Sequence, residues 1–133
     1  MLPSKSGTAG IAMRVGTDIT EVGRIRELMD RHPEFRSTVF TPQEITYCES
    51  KRQKYEHYAA RFSVKESVMK AVGRGWLQGL GWTDIEVARR ASGEPSIAAR
   101  RSLLGAMQQA GISRFAVSLS HCSTHATAVV IAL

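Results

Sequence analysis

A scarcity of cysteine and the lack of any long apolar run limit what this sequence can be. Its 133 residues include only two cysteines, Cys48 and Cys122, so we expect a cytoplasmic protein with reduced thiols rather than a disulfide framework. No stretch approaches the roughly 18 apolar residues of a membrane helix. Residues 1–10 hold one lysine and no apolar centre, which argues against a secretory signal and favours a flexible tail. The pattern predicts a protein that works away from membranes.

Aromatic residues are also few, at 7%. No RRM, KH, helix-turn-helix or zinc-finger pattern is present, which disfavours nucleic-acid binding. A structural zinc site is also disfavoured. The candidate ligands His121, Cys122 and His125 are too closely spaced, and the sequence offers no second pair of ligands. The chain does carry positive charge, a net +6 with a pI near 9.8. This charge predicts an anionic partner: an acidic protein, a phosphorylated small molecule or a nucleic acid.

Length predicts a single domain, which we place at residues 11–133 after the tail, and the order of its predicted elements gives the α+β class. The hydrophobic periodicity gives the order β-α-α-α-β-β-α-β-β, with a mainly antiparallel sheet and one long helix. The predicted strands are residues 11–17, 82–90, 96–98, 114–120 and 125–133, and the predicted helices are 21–31, 42–51, 56–72 and 99–110.

Several local signals support this assignment. Asp18 is expected at the end of the first strand, with Thr20 capping the next helix. Thr41 and Glu44 have the spacing of a capping box, with a proline at the first helical position. The last strand is apolar on both faces, so both faces need cover. In so small a domain, another subunit could provide one of the covers.

The long helix carries Glu66 and Lys70 one turn apart and then runs into glycines. The opposite side, which includes Val64 and Val68, is expected to face the core. Arg61 points about 140° away from Glu66. An acid beside a base on such a helix could hold a metal ion and a phosphate, but an ordinary surface ion pair would look the same.

Three segments together resemble the holo-acyl-carrier-protein synthases (AcpS), a family of 4′-phosphopantetheinyl transferases. The resemblance covers roughly residues 11–133, in matching order and spacing, and a Gly93-Glu94-Pro95 turn adds to it. The three segments are Gly-x-Asp-Ile-x-Glu-x-x-Arg from Gly16 to Arg24, Arg-Phe-x-x-Lys-Glu-x-x-x-Lys-Ala-x-Gly-x-Gly from Arg61 to Gly75, and Ser-Leu-Ser-His from Ser118 to His121.

The resemblance implies transfer of the phosphopantetheine arm of coenzyme A to a serine of acyl carrier protein, leaving 3′,5′-ADP. It also implies that Asp18 and Glu66 are the ligands of Mg²⁺. This hard ion is usually coordinated by one or two carboxylates together with phosphate oxygens and water. Lys70 joins them as a catalytic residue beside the phosphates. The general base is left open between Glu66 and a metal-bound water. The implied coenzyme-binding residues are Arg61, Lys70, Gly73, Gly75, Gly93, Pro95 and His121.

The family also implies a homotrimer with active sites between protomers and an acidic carrier that docks on Arg24 and Arg31. Two positions depart from the family pattern. Arg74 replaces a small hydroxyl residue, and Glu34 replaces a third basic residue. The carrier could therefore differ from the usual fatty-acid partner. The alternatives are a transferase dedicated to polyketide or peptide synthase carriers and a non-catalytic nucleotide- or nucleic-acid-binding module.

Overall fold

A three-stranded antiparallel sheet and one long helix form the centre of the computed structural model, which describes residues 13–133. The predicted tail, residues 1–10, lies outside the described residues. The strands are β1 (Arg14–Glu21), β2 (Ile85–Arg89), β3 (Pro95–Ala99), β4 (Phe115–His121) and β5 (His125–Ala132). The helices are α1 (Val22–Arg31), α2 (Phe35–Val39), α3 (Pro42–Glu49), α4 (Lys54–Val72) and α5 (Arg101–Ala110), with 3₁₀ turns at Trp76–Gln78 and Trp82–Asp84.

The main sheet has the order β1-β5-β4, and β2 and β3 form a separate hairpin. Helix α4 packs across the main sheet, where Val64 and Val68 share a core with Ala128 and Val130. The packing is so close that a Cβ atom on Gly16 would overlap the backbone carbonyl of Ser67. The first glycine of the resemblance therefore has a structural reason: it lets β1 lie against the helix.

The α+β class was predicted correctly, and the predicted element order lacks only one short helix. The structure also moves several boundaries. Strand β1 continues to Glu21 because its pairing with β5 continues to the pair Glu21–His125. Asp18 thus lies inside the strand rather than at its end. The prediction that Thr20 caps α1 is wrong, since Thr20 donates to Asp18 instead and α1 has no side-chain cap. Helix α2 was not predicted, because five residues are too few to show a helical period.

The capping box of α3 is confirmed, with Thr41 accepting from Glu44 N and Glu44 accepting from Thr41 N. The predicted division of α4 into a core side and an open side is too simple. Phe62 stacks on Trp82 with ring centroids 5.3 Å apart, and Arg61 and Lys65 are also buried. This helix has the sheet on one side and α1, α3 and β2 on the others, so most of its circumference is covered.

No element among residues 13–133 covers the opposite face of the main sheet. Strand β5, which was predicted to need cover on both faces, has Ala128 and Val130 buried under α4 and Val129 exposed on the outer face. Beside it, Val15 and Ile19 of β1 are 60% and 68% exposed. Among residues 13–133, no helix is long and apolar enough to cross a bilayer.

Candidate active site

Two carboxylates and an ammonium group meet where β1 lies beside α4. Lys70 donates from Nζ to the Thr17 carbonyl over 2.9 Å and lies 3.5 Å from Asp18 Oδ1. Burial raises the pKa of Glu66 and the nearby Asp18 raises it further, whereas Lys70 and Arg24 act in the opposite direction. The structure therefore brings together the three residues that were predicted as catalytic. It also places Arg24 of α1 at the edge of the same cluster.

Asp18 is held firmly in its strand. Its backbone carbonyl accepts hydrogen bonds from Ser63 Oγ at 3.1 Å and from Thr127 Oγ1 at 3.0 Å. Its Oδ2 accepts from Thr20 Oγ1 at 2.7 Å. The contacts from α4 and β5 hold the backbone of Asp18, and Thr20 orients its carboxylate so that Oδ1 lies on the side of Lys70.

The end of α4 opens into a groove of about 500 Å³ that begins at Glu66 and Lys70 and includes the predicted Gly73 and Gly75. Gly73 ends the helix with a φ of 81°, a conformation that favours glycine. Gly75 donates its N–H to Gln78 Oε1 over 2.7 Å. Arg74, which departs from the family pattern, also lines this groove and donates to Gln109 at 2.5 Å. We call this the glycine groove.

A second groove, of about 680 Å³, lies around the first half of α4, and we call it the cationic groove. It contains three predicted coenzyme residues: Arg61, Pro95 and His121. Gly93, with a φ of 92°, forms the turn that leads into this groove at Glu94. The lining residues are Tyr47, His57, Arg61, Arg89, Glu94, Pro95, Val117, Ser118, Leu119, Ser120 and His121.

Arg61 is buried in the wall of the cationic groove, with 3% of its surface exposed. Its guanidinium lies over the Tyr47 ring, 4.1 Å from the centroid. Nη1 makes a long hydrogen bond of 3.4 Å to the His57 carbonyl, and Nε has no acceptor among the described residues. A buried cation with donors to spare is suited to receive an anion.

Two histidines lie side by side in the same groove. The rings of His57 and His121 have centroids 4.9 Å apart, and His121 Nδ1 is 2.9 Å from Glu56 Oε1. Burial lowers the pKa of His57 to about 4, helped by the positive charges of His121, Arg61 and Lys51. His57 is therefore neutral at physiological pH in the free chain.

A buried ion pair joins α4 to α3. Lys65, adjacent to Glu66, has no exposed surface, and its Nζ is 2.9 Å from Glu44 Oε1. Lys65 also donates to the Trp82 carbonyl at 3.0 Å and to the Ile85 carbonyl. Glu44 accepts a further hydrogen bond from Val87 N at 2.7 Å. Burial lowers the pKa of Lys65, and Glu44 opposes that shift, so the pair ties α3, α4 and β2 together.

Sequence reasoning missed four residues in these arrangements: Tyr47, His57, Lys65 and Arg89. His57 lies four residues before Arg61, and this i,i+4 spacing could have placed it on the same side of α4. Nothing local indicates that Tyr47 or Arg89 reaches this groove, because each comes from another element. Lys65 was noted only as a member of the second motif. Its ion-pair partner Glu44 lies 21 residues earlier in the chain, so no local pattern indicates the pair.

The sequence matches the model of the 4′-phosphopantetheinyl transferase superfamily over residues 14–130, so the chain belongs to that superfamily. It is 38% identical over 119 residues to a holo-[acyl-carrier-protein] synthase of Moorella thermoacetica, covering 90% of this chain and 92% of the relative. A synthase of the same name from Koribacter versatilis is 40% identical over 117 residues, covering 87% and 94%. Within the superfamily, the chain is thus a member of the holo-[acyl-carrier-protein] synthase family, as the motifs predicted.

Solved structures agree with this assignment. The structure of holo-[acyl-carrier-protein] synthase from Neisseria meningitidis superposes with a TM-score of 0.82 at 29% identity, covering 90% of this chain and 97% of that one. The Helicobacter pylori enzyme, solved in complex with coenzyme A, gives 0.78 at 28% identity, with coverage of 90% and 99%. The expected α+β fold is therefore confirmed.

Proposed function

We propose that this chain transfers the 4′-phosphopantetheine group of coenzyme A to a serine of an apo acyl carrier protein, releasing 3′,5′-ADP. One observation carries the proposal: Asp18, Glu66 and Lys70 meet at the mouth of the glycine groove in a member of this family. The relatives are named as synthases of holo acyl carrier protein, and the Helicobacter pylori relative was solved with coenzyme A.

The donor set fits a magnesium ion. Asp18 and Glu66 are close enough that the charge of one raises the pKa of the other, and two mutually repelling carboxylates are stabilised by a divalent cation between them. Within residues 13–133, no group of three or more His, Cys, Asp or Glu side chains forms a metal site. Asp18 and Glu66 would hold Mg²⁺, which would neutralise charge on the pyrophosphate oxygens.

The chain's own residues provide positioning and charge. Lys70 is 56% exposed at its side chain, so its ammonium group can exchange the Thr17 carbonyl for a phosphate oxygen. Gly73 and Gly75 leave room for the pyrophosphate arm to approach the backbone. Transfer of a phosphoryl-type group needs placement and charge neutralisation more than a covalent intermediate.

Mass spectrometry of an apo carrier protein incubated with coenzyme A, Mg²⁺ and this chain tests the proposal. We expect the carrier to gain one phosphopantetheine, and a carrier whose acceptor serine is replaced by alanine to gain none. A panel of fatty-acid, polyketide and peptide synthase carriers would identify the preferred partner. Binding of a random oligonucleotide in place of coenzyme A, with no change in carrier mass, would favour the nucleic-acid alternative.

The carrier surface that we propose is the outer side of α1. Val22, Ile25 and Met29 are buried, and Arg24 and Arg31 are exposed on the opposite side. Arg24 also lies close enough to influence the pKa of Glu66, so a carrier bound there would have its serine near the catalytic cluster. The basic position lost at Glu34 is not replaced by Arg36, whose Nε is 3.4 Å from Glu49 Oε2.

Replacing Arg24 by glutamate should slow productive encounter with the carrier, because charge complementarity acts mainly on the association rate. We expect roughly a tenfold loss of kcat/KM for the carrier at low salt, and a smaller loss at high salt, where surface charges are screened. Arg24→Lys keeps the charge and should retain most of the rate. Coenzyme A affinity, measured by calorimetry, should change little. A collapse of that affinity would assign α1 to the small-molecule site.

We further propose a homotrimer whose sites combine residues of neighbouring subunits. The open sheet face with Val15, Ile19 and Val129 offers an apolar surface for assembly. The predicted coenzyme residues are divided between two separate grooves. Glu56, the partner of His121, and Glu66 are about 15 Å apart along α4. A single coenzyme would contact the glycine groove of one subunit and the cationic groove of the next.

Light scattering should give three times the chain mass of 14.6 kDa. Mixing Asp18→Ala and His121→Ala chains under subunit exchange should restore roughly a quarter of the sites, because each interface draws its two halves independently. A monomer would refute the assembly. A trimer that exchanges subunits but regains no activity would place both residues in the site of one chain.

A further inference from the structure

The cationic groove holds a titratable side chain for which the proposed reaction has no role. His57 lines the groove, and its ring makes edge contacts with the rings of Tyr47 and His121, at centroid distances of 5.7 and 4.9 Å. It makes no side-chain hydrogen bond to another residue among residues 13–133. An imidazole in the wall of an open groove, without such a hydrogen bond, can offer a ring nitrogen to a ligand.

The surroundings of His57 are mostly positive. The titratable and charged side chains around it come from four parts of the fold. They are Glu56 and Arg61 of α4, Tyr47 and Lys51 of α3 and the turn after it, Arg89 and Glu94 of the β2–β3 hairpin, and His121 of β4. Glu56 is paired with His121, and Glu94 is 3.5 Å from Arg90. Arg61, Lys51 and Arg89 all lie against the Tyr47 ring, at 4.1, 4.7 and 5.3 Å. The groove therefore carries an excess of positive charge that opposes a proton on His57.

The same excess charge indicates what the groove binds. Arg61 is almost fully buried and has one long protein hydrogen bond and an Nε without an acceptor in the described chain. A dianionic phosphate beside Arg61 would satisfy free donors and reverse the sign of the local potential. Burial and the neighbouring cations together keep His57 neutral in the free chain, and a bound dianion would offset the contribution of the cations.

We propose that His57 takes up a proton when the 3′-phosphate of coenzyme A binds in the cationic groove, and so acts as an additional binding residue that ties coenzyme affinity to pH. The inference rests on the proposed function and extends it to how the coenzyme is held. His57 lies next to the phosphate contacts that the resemblance implies, and it adds a charge that exists only in the complex.

The sign of the effect follows from linkage. Burial and the neighbouring cations hold the pKa of free His57 at about 4, and the bound dianion raises that pKa. A ligand that raises a pKa binds more tightly as pH falls from above the bound pKa toward the free one. The phosphate must itself remain doubly charged, and its second pKa is about 6. The effect should therefore be seen between about pH 6.5 and 8.

Calorimetry on the full chain without carrier tests this. Coenzyme A and 3′-dephospho-coenzyme A are titrated at pH 6.5 and 8, each in two buffers of different ionisation enthalpy, which gives the number of protons taken up. The preference for the 3′-phosphate is the ratio of the affinity for coenzyme A to the affinity for 3′-dephospho-coenzyme A. We expect this ratio to increase about fivefold from pH 8 to 6.5, which corresponds to an average uptake of roughly half a proton on binding. His57→Phe keeps the ring packing but cannot be protonated, so the preference should become nearly independent of pH. His57→Gln should behave in the same way and controls for any packing defect.

Equal proton uptake in the wild-type chain and both variants would overturn the proposal while leaving the proposed function intact. Loss of the pH dependence in His121→Phe, with its retention in His57→Phe, would assign the proton to His121 and also overturn it. If neither ligand binds, the proposed function fails together with this extension.

Discussion

Replacing Glu66 by glutamine should reduce phosphopantetheine transfer by roughly 100- to 1,000-fold, which corresponds to about 2.7–4 kcal/mol of activation free energy for the loss of one strong electrostatic contact. Asp18→Asn should have an effect of similar size. Glutamine and asparagine preserve shape, so the loss would reflect charge at the pyrophosphate rather than a cavity. The rate is measured as the initial rate of carrier modification by mass spectrometry.

Stability provides the control for this prediction. Burial raises the pKa of Glu66, so its negative charge disfavours the folded state and a neutral glutamine should not lower the free energy of unfolding. Asp30→Asn removes an exposed carboxylate of α1 and should retain activity. Excess EDTA should abolish the wild-type rate, and Mg²⁺ should restore it. Full activity in EDTA would show that Asp18 and Glu66 do not act through a metal ion.

Replacing Lys65 by methionine should lower the free energy of unfolding by about 3–5 kcal/mol, because it leaves a buried carboxylate without its counter-ion. The side chains of Lys65 and Glu44 have no exposed surface in the ion pair. Methionine fills much of the lysine volume, so the lost charge partner rather than lost packing dominates. Urea unfolding followed by circular dichroism measures the effect.

The chain contains a matched control for this pair. Lys54 contacts Glu49 at 3.3 Å with both side chains more than one-third exposed, and such pairs are worth about 0–1 kcal/mol. Lys54→Met should therefore have little effect. Combining Lys65→Met with Glu44→Gln should recover part of the lost stability, because the remaining unpaired charge is removed. Equal costs for Lys65→Met and Lys54→Met would show that the buried pair does not stabilise the fold.

Features that depend on neighbouring residues could be predicted from the sequence alone. The capping box at Thr41 and Glu44 involves residues three apart, and the glycine after α5 ends that helix as expected. The order of strands and helices follows from periodicity, and the family follows from motif spacing. The capping box is local because its hydrogen bonds join residues three apart, and periodicity is local because it depends only on which face of its own helix or strand each side chain occupies.

Only the tertiary structure decided which distant residues meet. Asp18 lies within β1 because β5, more than a hundred residues later, pairs along its full length. Lys65 is buried because α3 presents Glu44 to it, and the cationic groove forms because α3, β2 and β4 meet around α4. Burial and charge environment are properties of the packed chain, since they depend on what surrounds a side chain from other elements. The sequence by itself therefore determined the family and indicated which residues to propose as catalytic, and the packing of α4 decided the surroundings of those residues.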